Sequence, residues 1–297
     1  EGVVWLASRN GLVSYDGNAA VHFGTENGFE AGDSYGVIVD AEENIWLGTD
    51  NGVTRFVPGP FSGYTVDTGL PHGFVRAIAE DAAGRLWVGT RGGVATWEGD
   101  GFIRATNPGA LPDERVYALA GMPDGRMLIG TSGGLAVWQQ GVRRIYRERD
   151  GLPSAAIRSI APDPAGGAWI GTDAGVVRLE SDRIVSLGPY HPLSVESVSA
   201  MALDEEGRLW LARVSGGVFI LNGTRVTSLG AAEGLTDQSV WSIQVDPQGA
   251  VWIGTNGDGV FRVAGDVITQ FTTREGMTNN FVWQVVADSE GSVWLYT

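Results

Sequence analysis

Seven residues recur at a nearly fixed interval along the 297-residue chain: Tyr35, Arg76, Tyr117, Arg158, Ser199, Trp241 and Trp283. Four are aromatic and two are arginine. An aromatic ring offers a flat apolar face with a polar handle, and a guanidinium takes a carboxylate or sulfate through two parallel hydrogen bonds. That mixture suits sugars or anionic oligosaccharides. The same position could instead pack between neighbouring structural units, where rings fill space. Arg76 and Arg158 favour the first reading, because an arginine is rarely buried without a partner. Turns in the same intervals could add Arg9, Asp50, Arg91, Asp173, Arg213 and Asn256.

Catalytic signals are weaker. His22, His72 and His191 are the only histidines and share no metal-ligand spacing. No motif points to a Ser–His–Asp triad. Asp40, Asp81, Asp163, Asp204, Asp246 and Asp288 hold one repeated position, and a residue present six times is a turn former, since catalysis needs one site. Asn256-Gly257-Asp258-Gly259 lacks the oxygen spacing and closing Glu of a calcium loop. With no Cys in the chain, disulfides and thiolate zinc sites are excluded. The expectation is no catalytic residue, no metal and no cofactor.

The elements that must position these residues follow from a second periodicity. Trp5, Trp46, Trp87, Leu128, Trp169, Trp210, Trp252 and Trp294 are spaced by 41 or 42 residues, with Leu128 filling a tryptophan position. The flanks repeat as Asp81-x-x-Gly84-x-x-Trp87-Val88-Gly89-Thr90, Asp163-x-x-Gly166-x-x-Trp169-Ile170-Gly171-Thr172 and Asp246-x-x-Gly249-x-x-Trp252-Ile253-Gly254-Thr255. Each interval reads as four short β-branched strands separated by turn residues, and no stretch shows capped helical periodicity. In the Asp-x-x-Gly turn the carboxylate accepts backbone N–H bonds and the glycine tolerates positive φ. Four-stranded units of this length predict a seven-bladed β-propeller, four antiparallel strands per blade, as a single domain over 1–297. The anchors would wedge between blades, burying roughly 150–250 Å² each. A closing blade would combine 1–30 with 276–297, leaving open whether Trp5 or Trp294 supplies its second strand.

Composition narrows the partners. The net charge is −15 and no basic stripe is present, which argues against nucleic acid. The densest basic run, Arg143 to Arg149, is interrupted by Glu148 and reads as a solvated strand edge. No apolar run approaches the about 20 residues of a membrane-spanning helix. The chain begins within a repeat and without Met, as expected of a piece of something larger.

The unit Gly-Leu-Pro, then Val-x-x-Ile-x-x-Asp-x-x-Gly-x-Leu-Trp-Ile-Gly-Thr-x-x-Gly-Val, resembles the two-component regulator propeller repeat. Gly69-Leu70-Pro71, Gly151-Leu152-Pro153 and the tryptophan runs above carry the likeness. Leu111-Pro112, Gly234-Leu235-Thr236 and Gly276-Met277-Thr278 are weaker copies. Departures are local: Leu128 for Trp, Met122 for Asp, and Ala212-Arg213 for Gly-Thr. The resemblance implies the periplasmic or extracellular sensor part of an inner-membrane signalling protein, with a histidine kinase or diguanylate cyclase output. The implied partners are a small-molecule or oligosaccharide ligand and a following signalling module. A homodimer formed through the rest of the protein stays open. Two other classes remain: a propeller lyase of the streptogramin type, for which His72 is the best-placed residue, and a protein-interaction scaffold with an exposed apolar patch. Quinoprotein dehydrogenases are larger, and propeller sialidases use a different aspartate spacing.

Overall fold

The computed structural model describes residues 4–8, 11–15, 20–24, 29, 34–40, 42, 44–57, 61–188, 191, 193, 196–235, 240–277, 279–287 and 293–296. Two compact units are present: Thr25–Val195, and Glu1–Gly24 with Glu196–Thr297. Strands are numbered along the chain.

The larger unit, Thr25–Val195, holds four blades. Blade one is β4 (Ser34–Val39), β5 (Ile45–Thr49), β6 (Val53–Phe56) and β7 (Ser62–Tyr64). Blade two is β8 (Val75–Glu80), β9 (Leu86–Thr90), β10 (Gly93–Glu98) and β11 (Gly101–Arg104). Blade three is β12 (Val116–Gly121), β13 (Met127–Thr131), β14 (Gly134–Trp138) and β15 (Val142–Tyr146). Blade four is β16 (Ile157–Pro162), β17 (Ala168–Thr172), β18 (Gly175–Glu180) and β19 (Arg183–Ser186). The smaller unit holds blade five, β20 (Val198–Leu203), β21 (Leu209–Arg213), β22 (Val218–Asn222) and β23 (Arg225–Leu229). Blade six is β24 (Val240–Val245), β25 (Val251–Thr255), β26 (Val260–Ala264) and β27 (Val267–Phe271). In every blade the strands pair in chain order and antiparallel. Among the described residues the only helical segments are three 3-10 turns, the first being Val66–Thr68.

The blade count corrects the expectation of seven. Six sheets have four antiparallel strands, and the terminal segments build something else: a five-stranded mixed sheet in the order β28 (Gln284–Ala287), β29 (Val293–Tyr296), β1 (Val4–Ser8), β2 (Gly11–Tyr15) and β3 (Ala20–Phe23). The fold is thus an all-β propeller with six blades rather than seven. The cause is duplication of one strand type. Both ends carry a Val-Trp-Leu segment suited to the second-strand position. β29 takes that position beside β28, and β1 pairs with its other edge in parallel, Trp5 opposite Trp294. Neither Trp5 nor Trp294 is displaced by the other; both are in the ladder.

The repeat motif acquires its meaning in these sheets. Strand two is buried along its whole length in β5, β9 and β13, so both of its faces are covered. Its tryptophan is anchored by the aspartate six residues earlier: the indole N–H of Trp46, Trp87, Trp210 and Trp252 donates to Asp40, Asp81, Asp204 and Asp246 at 2.6–2.9 Å. The other carboxylate oxygen of these aspartates accepts backbone N–H groups of the turn, as Asp81 does from Ala83 and Arg85. Blade four differs, with Arg178 taking Asp163 at 2.7 Å. Trp46, Trp87, Trp210, Trp294 and Leu128 are buried, while Trp169 and Trp252 are half-buried.

The glycine of the Trp-x-Gly-Thr run is where the next blade approaches. A β-carbon on Gly89 would lie 2.6 Å from Val116 Cγ1, and one on Gly130 2.6 Å from Ile157 Cγ2. The following threonine closes the turn to strand three, its hydroxyl donating to the carbonyl of Gly93, Gly134 or Gly175 at 2.8 Å. Apolar clusters then join neighbouring blades, for example Trp46 and Val53 of blade one with Val75, Val88 and Phe102 of blade two. The first strands β4, β8, β12 and β16 lie side by side in the larger unit, as do β20, β24 and β28 in the smaller.

Candidate functional site

All six four-stranded blades share one irregularity. The register between strands one and two slips by a residue, between Ser34 and Gly36, Val75 and Ala77, Val116 and Ala118, Ile157 and Ser159, Val198 and Ala200, and Val240 and Ser242. The extra residue of each bulge is Tyr35, Arg76, Tyr117, Arg158, Ser199 or Trp241. A bulge takes its extra residue out of the ladder and re-aims the side chain. The seventh residue of the series, Trp283, immediately precedes the first paired residue of β28, Gln284. The periodic series in the sequence is therefore a series of bulges.

The turn after strand two is tied to the same spot. The backbone N–H of Arg91 donates to Phe74 O, Ser132 to Arg115 O, Asp173 to Ala156 O and Val214 to Ser197 O, at 3.0–3.2 Å. These bonds tie the residue four after the anchor to the residue thirteen before it, two positions ahead of the bulge.

In the larger unit the bulge residues take part in two groups of ring and cation contacts. The Tyr35 and Phe74 rings lie 4.5 Å apart between centroids. The Arg91 guanidinium sits 3.7 Å over the Phe74 ring. Arg76 and Arg158 each lie 4.8 Å from the centre of the Tyr117 ring. Arg158 is locked by Asp173 in a bidentate pair, Nε to Oδ1 at 2.6 Å and Nη2 to Oδ2 at 2.8 Å, and that carboxylate holds the Arg158 pKa above its ordinary value. The Arg76 pKa moves the other way: burial pushes it down, and the nearby Arg158 and Arg91 charges add to the shift although Tyr117 opposes it. Asp50, in the corresponding turn of blade one, keeps one buried carboxylate oxygen without a hydrogen bond.

The smaller unit presents a different surface. The Trp241 and Trp283 rings meet edge to face, with centroids 4.0 Å apart, and each residue is 40% exposed. Phe281, 46% exposed, lies two residues before Trp283. Ser199 has turned inward and donates to Val240 O at 2.8 Å, so it joins blades five and six. Arg213 is occupied: it pairs with Glu196 at 2.6 Å and stacks 3.8 Å over Phe219.

Of the remaining sequence candidates, Arg9 lies outside the described residues, as does the side chain of His22. His72 is exposed, and its Nδ1 accepts the Phe74 N–H at 2.8 Å. Among the described residues no three His, Asp or Glu side chains converge as metal ligands would. The sequence reading missed Phe74, Phe219 and Glu196. Phe74 sits two residues before the bulge in blade two, a position where only the observed stacking reveals its part.

Solved structures that share this fold include sensor-type and lyase propellers. The extracellular domain of a hybrid two component system from B. thetaiotaomicron superposes with a TM-score of 0.72 at 19% identity, over 96% of this chain and 49% of that one. This chain therefore spans about half of that structure. Virginiamycin B lyase from Staphylococcus aureus, solved as an inactive variant with quinupristin, gives 0.70 at 12% identity, over 89% of this chain and 91% of that one. A streptogramin B lyase gives 0.72 at 15% identity, over 88% and 89%. At such identities the likeness is one of fold. No curated protein matches the sequence. The sequence matches the family model described as two component regulator propeller at three of its repeats, residues 69–92, 151–174 and 234–257.

Proposed function

We propose that this chain is a ligand-binding sensor module, held outside the cytoplasm by a membrane-bound bacterial signalling protein, and that its ligand is a saccharide. The observation that carries the reading is the exposed Trp241–Trp283 pair. Indoles are usually buried for their large apolar area, at about 25 cal/mol per Å². Two of them left side by side at 40% exposure, at the same repeat position, form a ready stacking platform. The regulator propeller repeats and the shared fold with an extracellular two component domain support the signalling context. Among the described residues no helix is long and apolar enough to cross a membrane. Binding without turnover is favoured over lyase chemistry, because the best-placed histidine, His72, uses its Nδ1 to close its own loop. A following module is the expected partner that reads the bound state.

The test is a glycan-array screen of the chain followed by calorimetric titration of the saccharides retained. The Trp241→Ala, Trp283→Ala double variant is expected to lose at least about tenfold in affinity, roughly 1.4 kcal/mol, while keeping its β circular dichroism. Undiminished binding by that variant, or turnover of any bound compound, defeats the reading.

A further inference from the structure

The repeat allows each blade to serve as a reference for the others. In blade four, the bulge residue Arg158 and the turn residue Asp173 stand eleven before and four after the anchor Trp169, and they form a two-pronged ion pair at 2.6 and 2.8 Å. In blade two the same two positions, counted from Trp87, hold Arg76 and Arg91. The backbone bond that brings Asp173 to its arginine has its counterpart in blade two, Arg91 N–H to Phe74 O at 3.1 Å against Asp173 N–H to Ala156 O at 3.2 Å. Blade two thus repeats the scaffold of the blade-four pair with a second cation where the carboxylate should be.

Nothing among the described residues supplies the missing charge. No carboxylate lies within ion-pair distance of Arg76 or Arg91. Arg76 is half-buried, and the Arg158 guanidinium lies as close to the Tyr117 ring centre as Arg76 does, at 4.8 Å. The chain has a net charge of −15, yet among the described residues no carboxylate is placed at this position. An unpaired, partly desolvated cation beside a like charge is costly. The loss is recovered when an external anion arrives, and the planar guanidinium fork sets the geometry of that anion.

We propose that Arg76 and Arg91 of blade two form a receptor for the carboxylate of a small ligand, the ligand oxygens taking the place that Asp173 Oδ1 and Oδ2 take against Arg158. Phe74 and Tyr35, whose rings lie 4.5 Å apart beside Arg91, supply aromatic surface next to the two arginines. The depressed basicity of Arg76 fits a site awaiting its counter-ion. This goes beyond the saccharide reading: it concerns the other unit and rests on different residues.

Benzoate is a suitable probe, because it joins a planar carboxylate to a ring. Benzamide is its neutral counterpart, and benzenesulfonate offers the alternative anion. Titration followed by nuclear magnetic resonance is expected to give saturable benzoate binding, at least tenfold tighter than benzamide. Arg76→Gln should weaken it at least tenfold. Arg91→Asp writes the blade-four pair into blade two. It should abolish benzoate binding while raising the melting temperature of the unliganded protein, which separates loss of the site from loss of the fold. Benzoate binding unaffected by both variants, equal binding of benzamide, or benzenesulfonate bound as tightly as benzoate would each overturn the proposal. So would absence of benzoate binding to the unmodified protein. In that last case retained saccharide binding dependent on Trp241 and Trp283 would leave the sensor reading standing.

Discussion

Asp81 shows how much a single repeated residue does. Its side chain is 6% exposed and takes hydrogen bonds from the Trp87 indole, the Arg85 guanidinium and two backbone N–H groups. Burial alone would raise its pKa, but the bonds from Trp87, Arg85 and Ala83 outweigh burial and leave it below the usual carboxylate value. A depressed folded-state pKa contributes stability that is complete above the unfolded value, about 3.9, and is lost as pH falls through the folded one. Asp81→Asn is therefore expected to cost about 1–2 kcal/mol at pH 7. The gap between variant and parent should close below about pH 4, as read from urea midpoints across pH 2.5–7. A gap independent of pH would contradict this account. The aspartate was legible in the sequence as a turn former. Its second part, accepting the indole proton, was signalled by blade three. There Leu128 lacks an N–H, and Met122, 2% exposed, stands where the carboxylate would be buried without its indole donor.

At the scale of the element, the spacing between blades is set by glycines on strand two. Gly130 has no room for a β-carbon, because Ile157 of the next blade fills the space. Gly63, on the outer strand β7, has nothing within 4 Å. Gly130→Ala is expected to destabilise by about 1–3 kcal/mol through overpacking, and Gly63→Ala by less than about 0.5 kcal/mol. Denaturant unfolding of the two variants tests this, and equal effects would refute the packing argument. The bulges belong to this scale too. The sequence located all six extra residues by their distance from the anchor, without revealing that each was a bulge. A bulge is a register event between two strands, and register is invisible until the partner strand is known.

At the scale of the whole molecule, the two ends of the chain meet in one sheet. β29 is bonded on both edges, to β28 antiparallel and to β1 parallel. Proline cannot donate to a ladder and is not tolerated in such a central strand. Leu295→Pro is expected to cost about 3 kcal/mol or more. It should also strip hydrogen-exchange protection from the amides of 4–8 and 11–15, far away in sequence. Protection retained at residues 4–8 would show that β1 is held by something other than β29.

Local chemistry made much of this protein readable in advance. Strand pairing in chain order, the Asp-x-x-Gly turn and the Trp anchor depend on residues within about 40 positions of each other, and they repeat, so chance is averaged out. The placement of Trp5 and Trp294 could not be read that way, because both segments satisfy the same local rule and only competition for one strand position separates them. The state of the arginines was equally hidden. Arg76, Arg91, Arg158 and Arg213 look alike as letters. Whether each meets a carboxylate, as Arg158 meets Asp173 and Arg213 meets Glu196, is decided by which neighbouring segment its side chain faces. Charge pairing falls off over a few ångströms, so only the tertiary structure sets it.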